Sequence, residues 1–96
     1  MVFFGRSTCP LCGVPVQESD DLVATSHFVE SETDPLWRYS DAAMHRQCFL
    51  AWEHRPAFVA RYNEIAGRHT WGDGTYKHMT DEGTIVRLPR NPVGMA

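Results

Sequence analysis

The sequence predicts a small α+β domain in which a cysteine knuckle and a β-hairpin precede two helices and a second hairpin. Three observations predict it. Cys9-Pro10-Leu11-Cys12 and His45-Arg46-Gln47-Cys48 carry metal-type donors as two closely spaced pairs. Short β-branched and aromatic runs bounded by turn residues flank the middle of the chain. Between them, residues 42–67 place apolar side chains at helical spacing.

The elements follow in order. After Cys12, Gly13 and Pro15 interrupt regular structure in GVPVQESDD. Leu22 to Val29 reads as a strand, ESETDP as a polar turn, and Leu36 to Tyr39 as a second short strand completing a hairpin. Ser40 and Asp41 are N-cap candidates, because their side-chain oxygens can accept a free amide of a first helical turn. They predict a helix from about Ala42 through AAMHRQCFLAWEH. Pro56 suits the first position of a second helix, where its missing amide would be unpaired anyway. That helix carries Phe58, Val59, Tyr62, Ile65 and Ala66 on its apolar positions, with Gly67 as its C-cap. HTWGDGTYKHM and TIVRLP read as closing strands, with Asp73-Gly74 and Glu82-Gly83 as turns. Arg90 to Ala96, rich in Pro and Gly, reads as a flexible tail.

Cys9, Cys12, His45 and Cys48 carry the chemistry. His45 and Cys48 at i and i+3 of a helix share one face, so both can reach one ion. Three thiolates and an imidazole are the donor set of a closed structural zinc site. The order of parts, knuckle, hairpin, then a helix whose first turn supplies the second pair, resembles the treble-clef zinc-finger superfamily over Cys9 to about Trp52. The resemblance implies a treble-clef core over about 7–54 and an extension of helix and hairpin over about 55–89. The whole forms one zinc-binding domain over 1–89, with 90–96 as the tail. The 32 residues between Cys12 and His45 exceed the most compact members, and the ESETDP loop would absorb the excess. An architecture shared by many functions implies no activity.

Cys-x-x-Cys also opens thiol oxidoreductases, where the second cysteine enters a helix whose N-terminus lowers the thiol pKa. Gly13, Val14 and Pro15 are a poor helix opening, so the sequence favours zinc. A His-Asn-His-type nuclease would use a hairpin histidine as base, and His27 is the candidate. Such an enzyme also needs metal ligands on the next helix, where His45 is committed to zinc and Asn63 and His54 lack the spacing. His27, His54, His69 and His78 therefore read as surface or core-edge residues. Trp37, Trp52 and Trp71 with Phe49, Phe58 and Tyr62 could form a stacking platform, but most large aromatics of so short a chain must build its core. Ser7 and Thr8 come with no nucleophile elbow or oxyanion motif. A closed site leaves no coordination position to activate water, so no enzyme is predicted.

Ninety-six residues suit one domain. Nine Lys and Arg against twelve Asp and Glu argue against a generic phosphate-binding surface. No run approaches the roughly 18 apolar residues of a membrane span, and MVFFG lacks the features of a signal peptide. Three cysteines cannot all pair within one chain, which suits a reducing, cytoplasmic setting. The expected function is a zinc-stabilised, non-catalytic interaction module whose partner is a protein, of the adaptor or immunity-inhibitor kind. Nucleic-acid binding is the alternative, and it requires Arg55, Arg61, Arg68, Lys77 and Arg87 to share a face.

Overall fold

The computed structural model describes residues 2–90. Two short antiparallel sheets and two helices follow in the order β1 (Leu22–Ala24), β2 (Ala43–His45), α1 (Arg46–Ala51), α2 (Arg55–Ala66), β3 (Thr75–Met79) and β4 (Ile85–Pro89). β1 pairs with β2 and β3 with β4.

The second helix and second hairpin stand as expected. Pro56 lies in the first turn of α2, and Gly67 is its C-cap. Phe58, Val59 and Tyr62 are buried from α2, so its apolar spacing is its packing face. Phe58 is the hub of an aromatic core. Its ring lies 5.4 Å from Phe28, 5.9 Å from Phe49 and 5.5 Å from Trp52. Burial of these rings removes the largest apolar surfaces from water and is the main stabilising term of a core this small.

The first hairpin is built differently from its expected form. Leu22 to Val29 was expected as one strand, but only Leu22–Ala24 is paired, and its partner is Ala43–His45. Leu36 to Tyr39, expected as the second strand, instead contains a 3-10 turn over Trp37–Tyr39. Asp34 and Pro35 cause this. The Asp34 carboxylate accepts the Leu36 amide at 3.0 Å, and its carbonyl accepts the Trp37 amide at 2.9 Å. An Asp before a Pro starts a turn, because the side chain captures a nearby amide and Pro presets φ. Arg61 of α2 also binds Asp34, fastening this turn to the second helix. The Leu36 amide and then Arg61 hold the Asp34 carboxyl below its usual range.

The first helix starts four residues later than its cap signals suggested. Ser40 does not cap it: its hydroxyl accepts the amides of Phe28 and Val29 at 2.8 and 3.2 Å. Asp41 adopts φ of 55°, a left-handed conformation that Asp tolerates better than most residues. The chain then extends as β2, and α1 begins at Arg46 with His45 as its N-cap.

Polar side chains of Asn63, Arg46 and Arg55 join the second hairpin to the rest, the last donating to the Asp81 carbonyl at 3.1 Å. The Asn63 amide clamps β3, donating to the Met79 carbonyl at 3.0 Å and accepting its amide at 2.7 Å. Arg46 donates to the Asp21 carboxylate at 3.0 Å and also to the Glu82 carbonyl at the tip of the β3–β4 turn. Arg90, expected as the start of the tail, donates its amide to Gly74 at 2.9 Å. Residues 91–96 of that expected tail lie outside the described residues.

Candidate metal centre

Local backbone chemistry brings Cys9 and Cys12 together. Gly13 takes φ of 78°, and its amide reaches back to the Cys9 carbonyl at 2.7 Å. Glycine supplies that conformation without a Cβ clash. The Cys9 amide in turn donates to the Val14 carbonyl at 2.9 Å, which closes the knuckle. The Cys-x-x-Cys therefore lies in a turn and not at a helix start.

The second pair arrives from the β2–α1 junction. His45 is the last residue of β2, and Cys48 lies in the first turn of α1. The two donors converge across a strand-to-helix corner, whereas the sequence suggested a shared helical face. Leu22 pairs with His45 and Val23 with Met44, so alternation places His45 opposite to the buried Met44.

Cys9, Cys12, His45 and Cys48 offer donor atoms that all lie within 4.8 Å of one another. Zinc–sulfur bonds of about 2.3 Å in a tetrahedron imply ligand-to-ligand edges of about 3.8 Å. The four residues are thus placed to hold one metal ion. Cys12 Sγ lies 3.4 Å from His45 Nδ1, which identifies the nitrogen that faces the site. Cys9 is fully buried and Cys12 exposed.

The thiols are electrostatically unequal. Burial pushes Cys9 upward, but the amides of His45, Leu11 and Cys12 aim at its sulfur and outweigh that, leaving its pKa at about 7. Cys48 is pushed up to about 11, by burial first and then by the neighbouring Cys12 and Cys9. Clustered thiols cannot all ionise without a counter-charge, and a divalent cation supplies one. Proton competition then gives a signed expectation. At pH 7 Cys48 of the metal-free site keeps its proton and Cys9 keeps part of one, and metal binding must displace them together with any other proton on the ligand set. Affinity should rise with pH, by at least about tenfold per unit above pH 7 from Cys48 alone, and more steeply below it as Cys9 also takes up protons. Competition with a chromophoric chelator across pH 6 to 8.5 measures this; a flat profile would contradict the thiolate site.

Asp20 belongs to the surroundings of the site and was missed in the sequence. Its Oδ2 lies 3.2 Å from His45 Nε2, the nitrogen turned away from the site. It also accepts the Gln17 amide at 2.8 Å, so the loop holds the carboxylate in place. A carboxylate on the outer imidazole nitrogen fixes the tautomer and ring orientation of a metal-facing histidine. Neither spacing nor residue type distinguished Asp20 within ESDD, because the contact spans 25 residues. Asp20→Ala is expected to weaken metal binding about 10- to 100-fold while the fold persists in excess metal. Unchanged affinity would reduce the contact to a surface hydrogen bond.

The remaining candidates lie elsewhere. His27 packs edge-on to Trp37, His69 edge-on to Trp71, and His54 beside Glu53. His78 lies in β3 opposite Val86. None joins a second metal-type cluster among the described residues. Ser7 accepts the Phe3 amide in the N-terminal turn. Arg61 and Arg68 are paired with Asp34 and Glu64, Arg55 binds the Asp81 carbonyl, and Lys77 and Arg87 flank Trp71. Among the described residues no helix is long and apolar enough to cross a membrane. No family model matches the chain, and neither a curated protein nor a solved structure is significantly similar to it.

Proposed function

We propose that the chain is a zinc-stabilised treble-clef interaction module, without catalytic activity, that binds a protein partner in the cytoplasm. The observation that carries this reading is the four-donor Cys₃His cluster. Four protein ligands complete a tetrahedral zinc, which favours a structural over a catalytic ion. The order of knuckle, β1–β2 hairpin and α1, with ligands in the knuckle and at the β2–α1 corner, supports the treble-clef assignment. The turn at Cys12 favours metal over thiol–disulfide chemistry, since the second cysteine does not enter a helix as it does in thiol oxidoreductases.

For a partner, the support is apolar exposure on the N-terminal arm. Phe3, Phe4 and Val14 are all more than half exposed, and backbone bonds such as Gly5 to Val16 tie the two limbs of that arm together. Native mass spectrometry tests the metal: one zinc per chain is expected, and a metal-free chain with a Cys9–Cys12 disulfide would overturn the proposal. A Phe3, Phe4 and Val14 to Ser variant should keep its zinc and lose partner capture by crosslinking. Nucleic-acid binding is the second reading, favoured by the Lys77 and Arg87 cations against Trp71. Its sign would be an affinity that falls steeply with salt and ignores the Phe3, Phe4 and Val14 substitutions.

A further inference from the structure

A cleft of about 330 Å³ opens between residues 26–30, the C-terminal half of α2, and β3. None of the four metal-type donors lines it, so it is separate from the centre described above. Its floor is apolar, made of Phe28, Tyr62, Ile65 and Ala66. Trp71, the one exposed tryptophan, forms a wall. Ligand sites commonly combine such an apolar lining with a few convergent polar groups, in volumes of roughly 300–1,000 Å³. At the lower end of that range, the cleft suits a one- or two-ring molecule and not a polymer strand.

Its polar groups set the charge of the ligand. Lys77 is the only lysine in the chain. It is half-buried, two residues before the fully buried Met79 on β3, and the two alternate onto the same face toward α2. Among the described residues its ammonium makes no ion pair, and its one charge-related contact is the Trp71 indole at 5.1 Å. A half-buried cation beside an aromatic wall, with water partly excluded, attracts an anion more strongly than a surface lysine does. Arg87, opposite Lys77 in the β3–β4 register, stacks on the same indole 4.9 Å from its centroid but is ion-paired with Asp73 at 3.3 Å. Among the described residues Lys77 is therefore the cation of the cleft without a counter-charge. His27 and His69 add imidazoles at the rim. Glu30 is the only carboxylate of the lining and is exposed, so solvent screens it.

We propose that this cleft binds a small planar aromatic carboxylate, with its ring on the Phe28, Tyr62, Ile65 and Ala66 floor and its carboxylate against Lys77. The ligand takes up apolar surface that the core leaves accessible, and Lys77 gains the counter-ion it lacks. Recognition is by a charge-assisted hydrogen bond, among the stronger kinds, at one end and by ring burial at the other.

Nuclear magnetic resonance titration of the metal-loaded protein with naphthoate tests this, with the uncharged naphthamide as the isosteric control. Naphthoate should shift Trp71, His69 and Lys77 resonances saturably and bind about tenfold or more tightly than naphthamide. Lys77→Met, which keeps the apolar stem, should abolish that preference, and Trp71→Leu should weaken both compounds. Lys77→Gln provides the same comparison if the methionine variant misfolds. Equal binding of the two compounds, shifts confined to other surfaces, or naphthoate affinity unchanged in both Lys77 variants would overturn the proposal. Binding of an oligothymidylate that displaces naphthoate and weakens steeply with salt would also overturn it, assigning the cleft to a nucleic-acid surface.

Discussion

Cys9→Ser is expected to unfold at least the N-terminal half of the protein. Cys9 is both a metal-type donor and a fully buried member of the core. Serine is a poor ligand for a thiophilic ion, and the three remaining donors would leave the site open. A structural zinc contributes an apparent ~10–16 kcal/mol, as much as the entire ~5–15 kcal/mol stability of an ordinary domain. Without the ion, nothing of comparable strength ties the knuckle to the β2–α1 corner. The far-ultraviolet circular dichroism melt should lose its cooperative transition, and a strong chelator added to the unaltered protein should reproduce the effect. Because Cys12 is exposed, Cys12→Ser loses the ion with less disturbance of packing, which separates the two contributions of Cys9. A Cys9→Ser protein with an unchanged melting temperature would show that the cluster is not a structural site.

Gly83→Ala should be strongly destabilising although it adds a single methyl group far from the metal donors, and its size is predictable by comparison with Gly74→Ala. Both glycines have positive φ, 86° and 83°. A residue with a Cβ adopts that conformation at a cost of about 1 kcal/mol. Around Gly74 a Cβ would meet nothing within 4 Å, so the backbone effect stands alone. At Gly83 the same atom would lie 2.7 and 2.9 Å from the methyls of Val23 and 3.0 Å from the Phe49 ring. Both neighbours are core residues with almost no exposure. Overpacking of this kind costs about 1–3 kcal/mol in addition. Gly83→Ala should therefore destabilise by about 2–4 kcal/mol and Gly74→Ala by about 1. Urea midpoints with unchanged slopes would measure the difference, and equal midpoints would show that the β3–β4 tip does not press on the first sheet.

That close approach explains why the sequence disclosed only half of Gly83's role. Glu82-Gly83 was legible as a turn, because a glycine after a polar residue between two β-prone runs has a local cause. Its contact with Val23, 60 positions earlier, has no local trace. α2 was legible for the same reason as the turn. Pro56 at its start, Gly67 at its end and the apolar positions between them act over one or two turns of backbone. The first hairpin was misread because two local signals competed. Ser40 and Asp41 fit a helix cap, but the Ser40 hydroxyl found the amides of Phe28 and Val29 instead, across more than ten residues. Likewise β-prone residues at Leu36 to Tyr39 were outweighed by the Asp34–Pro35 turn, which Arg61 of α2 reinforces.

The sequence by itself determined the metal-type donors, the second helix and the closing hairpin, because each follows from residue chemistry at short spacing. Thiol and imidazole pairs separated by two residues can meet with almost no help from the rest of the chain. Only the tertiary structure decided that His45 leaves a strand and Cys48 a helix, that Asp20 meets the outer imidazole nitrogen, and that Lys77 sits beside Trp71 with no ion pair among the described residues. Those facts depend on which distant segments pack together. Packing is settled by the burial of Phe28, Phe49 and Phe58 around one another, a collective outcome that no short stretch of residues specifies.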